Sequence, residues 1–441
     1  MLLATLGFVV GTFRVRVPYW GEAEVLFEAS RVRQGAPLFL DPLVGTSDAP
    51  PSRYYVTYPP LVSWLLSWVP AAWALLVGRA LACVAWFGAL AWAVCRAASS
   101  SRGVAGLAAA YVGGSWVLGN FAMTARPDAL ACALLAFALL RVTAHARVDA
   151  LTIVLLCAAP LVKPTLIGAP LGVLLVCMMQ RDVRAWLWAF GTTAVGFAMY
   201  AWLGDVRWWQ HVLLSNAQPL AFSAWWEHVP PRLPFFLPLL ALAWWSGWRA
   251  RAQPGAALLL GALAGSTLLC MVTLAKIGSS SNYWMEPCLC AVILLAKVPP
   301  AFERASWRAA LAASIVVVYA ASASIPAAWS ALHAYRDEAA FVASARARCD
   351  AAVGEVIGAD AQGIELALDD RILIPAYQTA WLVRSGRFPA STWIADLEHP
   401  ALRGYLLGAH ALDVAPAIRD AVERNFPRVV ATEQGMTLRC R

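Results

Sequence analysis

The sequence predicts an all-α polytopic membrane protein with about eleven transmembrane helices, followed by a small C-terminal α/β soluble domain. Two observations carry that expectation. Of the 441 residues, 61% are apolar and only 14% are charged, against roughly 45–50% and 25% in an ordinary soluble chain. Apolar runs long enough to cross a bilayer recur as far as residue 327, and beyond it the pattern turns mixed and polar. A mean hydropathy of +0.62 is too high for a cytosolic enzyme or a disordered tail. The net charge of +8 comes from basic residues spread in ones and twos, without the stripe a nucleic acid needs. Eight of the ten cysteines lie in or near apolar runs, where Cys behaves as a small hydrophobe.

In chain order, the expected spans are 1–13, 78–95, 104–121, 128–142, 149–162, 164–180, 185–203, 233–248, 255–275, 283–298 and 309–327. The first run has no basic n-region and no small-residue cleavage site before Arg14, so it reads as a retained helix rather than a signal peptide. Lys163-Pro164 breaks the long run 149–180 into two short helices; one span plus a buried piece is the other possibility. Arg96/Arg102, Arg141/Arg147, Arg181/Arg184, Arg249/Arg251 and Lys297/Arg304/Arg308 fall in short alternate loops, which puts those loops in the cytoplasm. The other loops are then extracytoplasmic, and so is everything after 328. They are long and rich in Trp, Tyr and Pro. The tail, 330–441, carries alternating stretches such as Ile364–Asp369 and Arg428–Thr432. Its two cysteines, Cys349 and Cys440, could pair in an oxidising compartment or stay free thiols.

The first outer loop, 14–77, holds the most chemistry. Val25, Leu26, Ala29 and Val32 sit at helical spacing and suggest an amphipathic helix lying in the membrane interface, with Glu22 near its start and Gly35 at its end. A carboxylate there is suited to take a proton from an acceptor hydroxyl. The plainer role of Glu22 and Glu24 is to complement the helix N-terminus. The loop closes on Tyr54-Tyr55-Val56-Thr57-Tyr58-Pro59-Pro60-Leu61 and a Trp-rich stretch, 61–77, suited to a second interfacial helix. Arg79 follows at the mouth of a span, where it either pairs with a phosphate or snorkels.

An acidic residue just after the first span, a helix ending in Gly35-Ala36-Pro37-Leu38-Phe39 and then Tyr58-Pro59-Pro60-Leu61 resemble the polytopic GT-C glycosyltransferases. More narrowly, they resemble the bacterial branch related to the protein mannosyltransferases and aminoarabinose transferases. Thr124-Ala125-Arg126-Pro127-Asp128 resembles that family's Arg-x-Asp at an outer helix start. Lys163-Pro164 and Gly278–Glu286 match two further segments. The resemblance implies a GT-C-like catalytic domain over 1–329 with an extracytoplasmic domain over 330–441, in the inner (plasma) membrane. It implies sugar transfer from a polyprenyl-phosphate donor to a lipid, glycan or protein acceptor, with Glu22 as general base and Glu24 as its substitute if the register differs. The family often carries Asp-Glu where this chain has Gly21-Glu22, which weakens any metal role that needs two acids.

Sugar transfer also needs cations for the leaving phosphate. Arg79, Arg126, Lys163 and Lys276 are the candidates on the outer side, with Tyr58, Asn282, Tyr283 and Glu286 as further polar contacts and Asp128 to position Arg126 or orient substrate. Each has a plainer reading as a snorkelling charge, a cap or a buried polar pair. Trp208-Trp209 and Trp225-Trp226 in the loop 204–232 suit a sugar platform or, more simply, an aromatic belt. The six histidines show no ligand spacing, so a metal-independent enzyme is expected and a divalent metal is not favoured. A transporter or flippase would carry inverted repeats and mid-membrane polar residues, and neither is visible. A non-catalytic membrane scaffold is the remaining rival.

Overall fold

The computed structural model describes residues 2–14, 17–204, 207–298, 324, 344–352, 354–408, 412–433 and 436–441. The expected span 309–327 and the expected boundary at 330 lie outside the described residues, apart from Ser324. The helices in chain order are α1 (Leu2–Arg14), α2 (Trp20–Arg33), α3 (Leu61–Ser67), α4 (Ala71–Arg96), α5 (Arg102–Gly113), α6 (Trp116–Ala122), α7 (Pro127–His145), α8 (Ala150–Val162), α9 (Gly168–Met179), α10 (Val183–Gly204), α11 (Phe222–His228), α12 (Leu233–Arg249), α13 (Ala256–Thr273) and α14 (Met285–Lys297). The C-terminal part adds α15 (Gln362–Asp369), α16 (Ala376–Arg384), α17 (Ala390–Glu398) and α18 (Pro416–Asn425), with strands β1 (Val356–Ala359), β2 (Leu402–Gly408), β3 (Arg428–Glu433) and β4 (Met436–Cys440).

The described residues divide into two compact units. The helical unit is drawn from Met1–Arg14, Gly78–Met199 and Pro219–Leu332; the second, termed the outer unit for the side that the sequence predicts, from Val15–Val77, Tyr200–Gln218 and His333–Arg441. Sequence order suggests a single cut near 330; in space the first long loop groups with the tail.

Among the described residues, α4, α7 and α13 are long and apolar enough to cross a membrane, and α8 and α9 are shorter apolar helices. Lys163-Pro164 separates α8 from α9, as the sequence predicts. The expected span 104–121 is instead two helices. Glycines at 113 and 114 weaken the helix there, and Ser115 takes an extended φ of −67° and ψ of 123° before α6 begins. The centre of the helical unit is α14, buried from Met285 to Ala296. A helix that is apolar on every side belongs inside a bundle. Trp284, just before it, stacks on Phe236 of α12 with ring centroids 5.0 Å apart.

The tightest crossing in the unit joins α9 to α13 through glycines. Gly168 and Gly172 on α9 face Gly261 and Gly265 on α13. A Cβ at Gly172 would lie 1.9 Å from the Gly261 carbonyl oxygen, and one at Gly265 would lie 2.2 Å from that of Gly168. Each pair is a small-xxx-small repeat that lets backbones touch where lipid gives no hydrophobic drive to association. Gly172→Leu is therefore expected to force α9 and α13 apart and to cost at least the ~1–3 kcal/mol of an overpacked core. Thermal unfolding in detergent measures the loss, with Gly191→Leu, where nothing lies within 4 Å of a new Cβ, as the near-neutral control.

The outer unit is built on a four-stranded sheet of order β1-β2-β4-β3. β1 and β2 are parallel, joined by a crossover that contains α15, α16 and α17, while β2–β4 and β4–β3 are antiparallel. Alternation along β2 sends Tyr405 and Leu407 into one core with Trp393, Ile418 and Phe426, and Leu406 into the other with Ile357 and Leu438. The alternating stretch 364–369 is helical in α15, not a strand. Arg428–Thr432 does form a strand, within β3. Cys349 and Cys440 are joined in a disulfide.

Burial shifts several carboxyl groups in this unit toward the protonated form. Burial pushes Asp360 up to about 6, although the Gly408 N–H and the Tyr405 hydroxyl, at 2.8 and 2.9 Å, favour its anion. Burial raises Glu365, Asp369 and Asp396 in the same direction. A carboxyl whose folded pKa lies above its unfolded value stabilises the fold below the unfolded pKa and loses that contribution as pH rises through the folded one. For Asp360 the window runs from about 4 to about 6. The outer unit is thus expected to melt at a higher temperature at pH 4 than at pH 7, and Asp360→Asn should flatten that slope. Melting curves across this pH range provide the check.

Candidate functional site

Two of the expected cations are turned into the helical unit by the same local device. Arg126 precedes Pro127 and Lys163 precedes Pro164. A proline ring disfavours helical geometry in the residue before it. Arg126 accordingly takes φ −118° and ψ 161° as the N-cap of α7, and Lys163 takes φ −142° and ψ 101° at the end of α8. Pro127 then starts α7 with its ring preset for the helix, and Asp128 sits in the first turn, where a carboxylate is favoured.

These three side chains meet. Asp128 lies 3.3 Å from Arg126 Nε through Oδ2 and 3.3 Å from Lys163 Nζ through Oδ1. Asn282 Nδ2 donates to Asp128 Oδ1 at 2.6 Å, and Ser280 Oγ orients the amide by donating to Asn282 Oδ1 at 2.6 Å. Arg126 stands 5.2 Å over the Phe121 ring. All four charged and amide side chains are buried: Arg126 is 6% exposed, Asp128 1%, Lys163 3% and Asn282 3%. Lys276 is near enough to act electrostatically on Lys163. A buried cluster of two cations and a donor amide gathered on one carboxylate is chemistry suited to a phosphate.

The other expected residues of this unit have defined places. Glu286 Oε1 accepts the Ala169 N–H at 2.7 Å, close to the start of α9, so its carboxyl satisfies amides that the helix leaves open. The Tyr283 hydroxyl pairs with Ser279. Arg79 is 1% exposed and donates from Nη1 to the Thr12 carbonyl at 2.6 Å, in the last turn of α1. A cation there complements the helix C-terminus.

In the outer unit, α2 carries three buried carboxyl groups. Glu22 is 0% exposed, and its Oε2 accepts the Tyr19 N–H at 2.9 Å, closing the N-terminus of the helix. Glu24 Oε1 accepts from Gln362 Nε2 at 3.2 Å. Glu28, which sequence reading passed over, accepts from Ser63 Oγ at 2.6 Å, and burial holds its carboxyl well above the usual range. The amphipathic spacing of α2 gives way at its start to burial all round. From Gly21 to Val25 α2 is buried on every side. Gly35 does terminate it, at φ +68°. Arg33 zips α2 to α3 by donating to Ser67, Leu66 and Val69 carbonyls at 3.2, 3.1 and 2.7 Å. Tyr58 is buried just ahead of Pro60, the N-cap of α3. His211 clamps the first loop: Nδ1 accepts the Val56 N–H at 3.1 Å, so Nε2 carries the proton and donates to the Leu40 carbonyl at 2.7 Å. Trp208 packs on Tyr200 and beside the Phe27–Tyr54 cluster, so its ring serves the core. Trp225 and Trp226 gather with Phe222 on the short exposed helix α11 of the helical unit.

In three dimensions the chain is similar to the crystal structure of ArnT from Cupriavidus metallidurans in the apo state, with a TM-score of 0.62 and 14% identity over 99% of this chain and 97% of that one. The same protein bound to undecaprenyl phosphate gives a TM-score of 0.60 and 14% identity over 99% of this chain and 96% of that one. The chain shares the overall fold of that protein. No protein-family model matches it, and no curated protein matches it in sequence. At this identity the likeness covers architecture and not individual side chains. Within this fold, the two X-Pro cations, the glycine crossing and the capped α2 are set by local sequence signals. The glycine repeats were readable as Gly-x-x-x-Gly at 168–172 and 261–265. Glu28 was hidden because one acid in a mixed helix gives no sign of its depth.

Proposed function

We propose that this chain is a membrane glycosyltransferase that moves a sugar from a polyprenyl-phosphate donor to a lipid, glycan or protein acceptor. The observation that carries the proposal is the buried Arg126–Asp128–Lys163–Asn282 cluster within a fold shared with ArnT, a protein crystallised with undecaprenyl phosphate. Charge buried this deeply in an apolar bundle is costly and is retained where a polar substrate needs it.

In the reaction, the acceptor hydroxyl oxygen attacks the anomeric carbon while the bond from that carbon to the phosphate oxygen breaks. The polyprenyl phosphate leaves with the electron pair. Glu22 takes the acceptor proton, and the anomeric configuration inverts in one displacement. Within the helical unit, Arg126 and Lys163, gathered on Asp128 beside Asn282, and Lys276 are the groups suited to the charge of the leaving phosphate. We place the protein in the inner (plasma) membrane with the outer unit extracytoplasmic. The Cys349–Cys440 disulfide supports that side, since such bonds persist in oxidising compartments.

Mass spectrometry of lipid-linked sugars and envelope polymers in a deletion strain tests the reading. The expected outcome is accumulation of one polyprenyl-phosphate sugar together with loss of that sugar from an acceptor. Unchanged lipid and envelope glycans would contradict it.

A further inference from the structure

Within the outer unit, α2 does not set its own position. The N-terminus of α15 abuts the chain just ahead of it. Gly363 approaches Pro18 so closely that a Cβ there would lie 1.8 Å from the Pro18 carbonyl oxygen. Pro18 is followed by Tyr19, whose N–H is held by Glu22 Oε2 at 2.9 Å. One residue before the glycine, Gln362 is 1% exposed and donates from Nε2 to Glu24 Oε1 at 3.2 Å. Two adjacent residues of the C-terminal domain thus fix the start of a helix more than 330 residues earlier in the chain. The glycine sets how near the backbones come, and the amide sets the rotation of the helix through its second acid. A carboxylate accepting from a buried amide is a strong orienting contact.

We propose that Gln362 and Gly363 are positioning residues for the carboxylates of α2, so that the C-terminal domain is a working part of the catalytic apparatus and not an appended acceptor-binding module. The inference rests on the reading of Glu22 as general base. Neither residue touches substrate; both act through Glu22 and Glu24. Misplacing a base by an ångström is enough to slow transfer about a hundredfold.

The experiment uses the full-length protein in nanodiscs and two variants. Gly363→Ala adds one methyl against the Pro18 carbonyl. Gln362→Met keeps the volume and removes the donor, so the test survives if the alanine variant fails to fold. Hydrogen exchange is followed at amides 19–28. Transfer kinetics are measured with undecaprenyl-phosphate-linked aminoarabinose as donor. We expect faster exchange confined to α2 and a kcat lowered at least tenfold, with the KM for the donor within twofold of the parent. Unchanged exchange at 19–28 in Gln362→Met overturns the proposal, and so does a raised KM with kcat intact. Faster α2 exchange in variants of a parent protein that transfers no aminoarabinose upholds the docking of α15 on α2 and strikes only that sugar as the one transferred.

Discussion

Replacing Glu22 by Gln is expected to slow sugar transfer by about 10²–10⁴-fold while the protein keeps its fold. The two halves of that expectation have separate causes. A neutral amide cannot take the acceptor proton, which removes the general-base contribution. The same amide still offers a carbonyl oxygen to the Tyr19 N–H that Glu22 accepts at 2.9 Å, so the N-terminus of α2 stays closed. Thermal unfolding should therefore move by no more than about 1 kcal/mol of cap energy. The comparison also separates the enzyme from a membrane scaffold, which would keep its phenotype. Glu24→Gln is the informative partner. It retains an acceptor for Gln362 Nε2, and it should leave transfer largely intact if Glu22 is the base.

Asp128→Ala should be the most damaging single change to the helical unit. Asp128 is 1% exposed and stands between Arg126 and Lys163, themselves 6% and 3% exposed. Removing it leaves two cations facing each other inside an apolar bundle, together with an Asn282 amide that has lost its 2.6 Å acceptor. Breaking a buried ionic group by deleting one partner costs about 3–5 kcal/mol, because a buried charge loses its counter-charge. Lys163→Met should cost less, since Asp128 keeps Arg126 and Asn282. Unfolding midpoints of the two variants in one detergent give the ranking. Added inorganic phosphate should recover part of the Asp128→Ala loss, because an anion stands in for the missing carboxylate.

The parts legible in the sequence are those set by local chemistry. Arg126-Pro127 and Lys163-Pro164 announce two cations held out of helical geometry at helix ends, and the structure puts both on one carboxylate. Gly35 ends α2 as its position predicts. What the sequence hid depends on distant partners. Nothing in the sequence near Glu286 announces Ala169, which donates to it from 117 residues away. The apolar spacing of α2 gives no sign that its start is enclosed partly by α15, which lies far along the chain. The stretch 364–369 alternates like a strand, yet it forms α15, whose start fits against Pro18 only because residue 363 is glycine.

Sugar transfer of the proposed kind requires recognition of a phosphate at the end of a long isoprenoid. The direct measurement is equilibrium binding of undecaprenyl phosphate and of undecaprenol to the purified protein in nanodiscs, repeated with Lys163→Met. Saturable binding of the phosphate form, weakened at least tenfold in the variant and not competed by the alcohol, is the predicted result. Equal retention of the alcohol and the phosphate, with no change on losing Lys163, would contradict it.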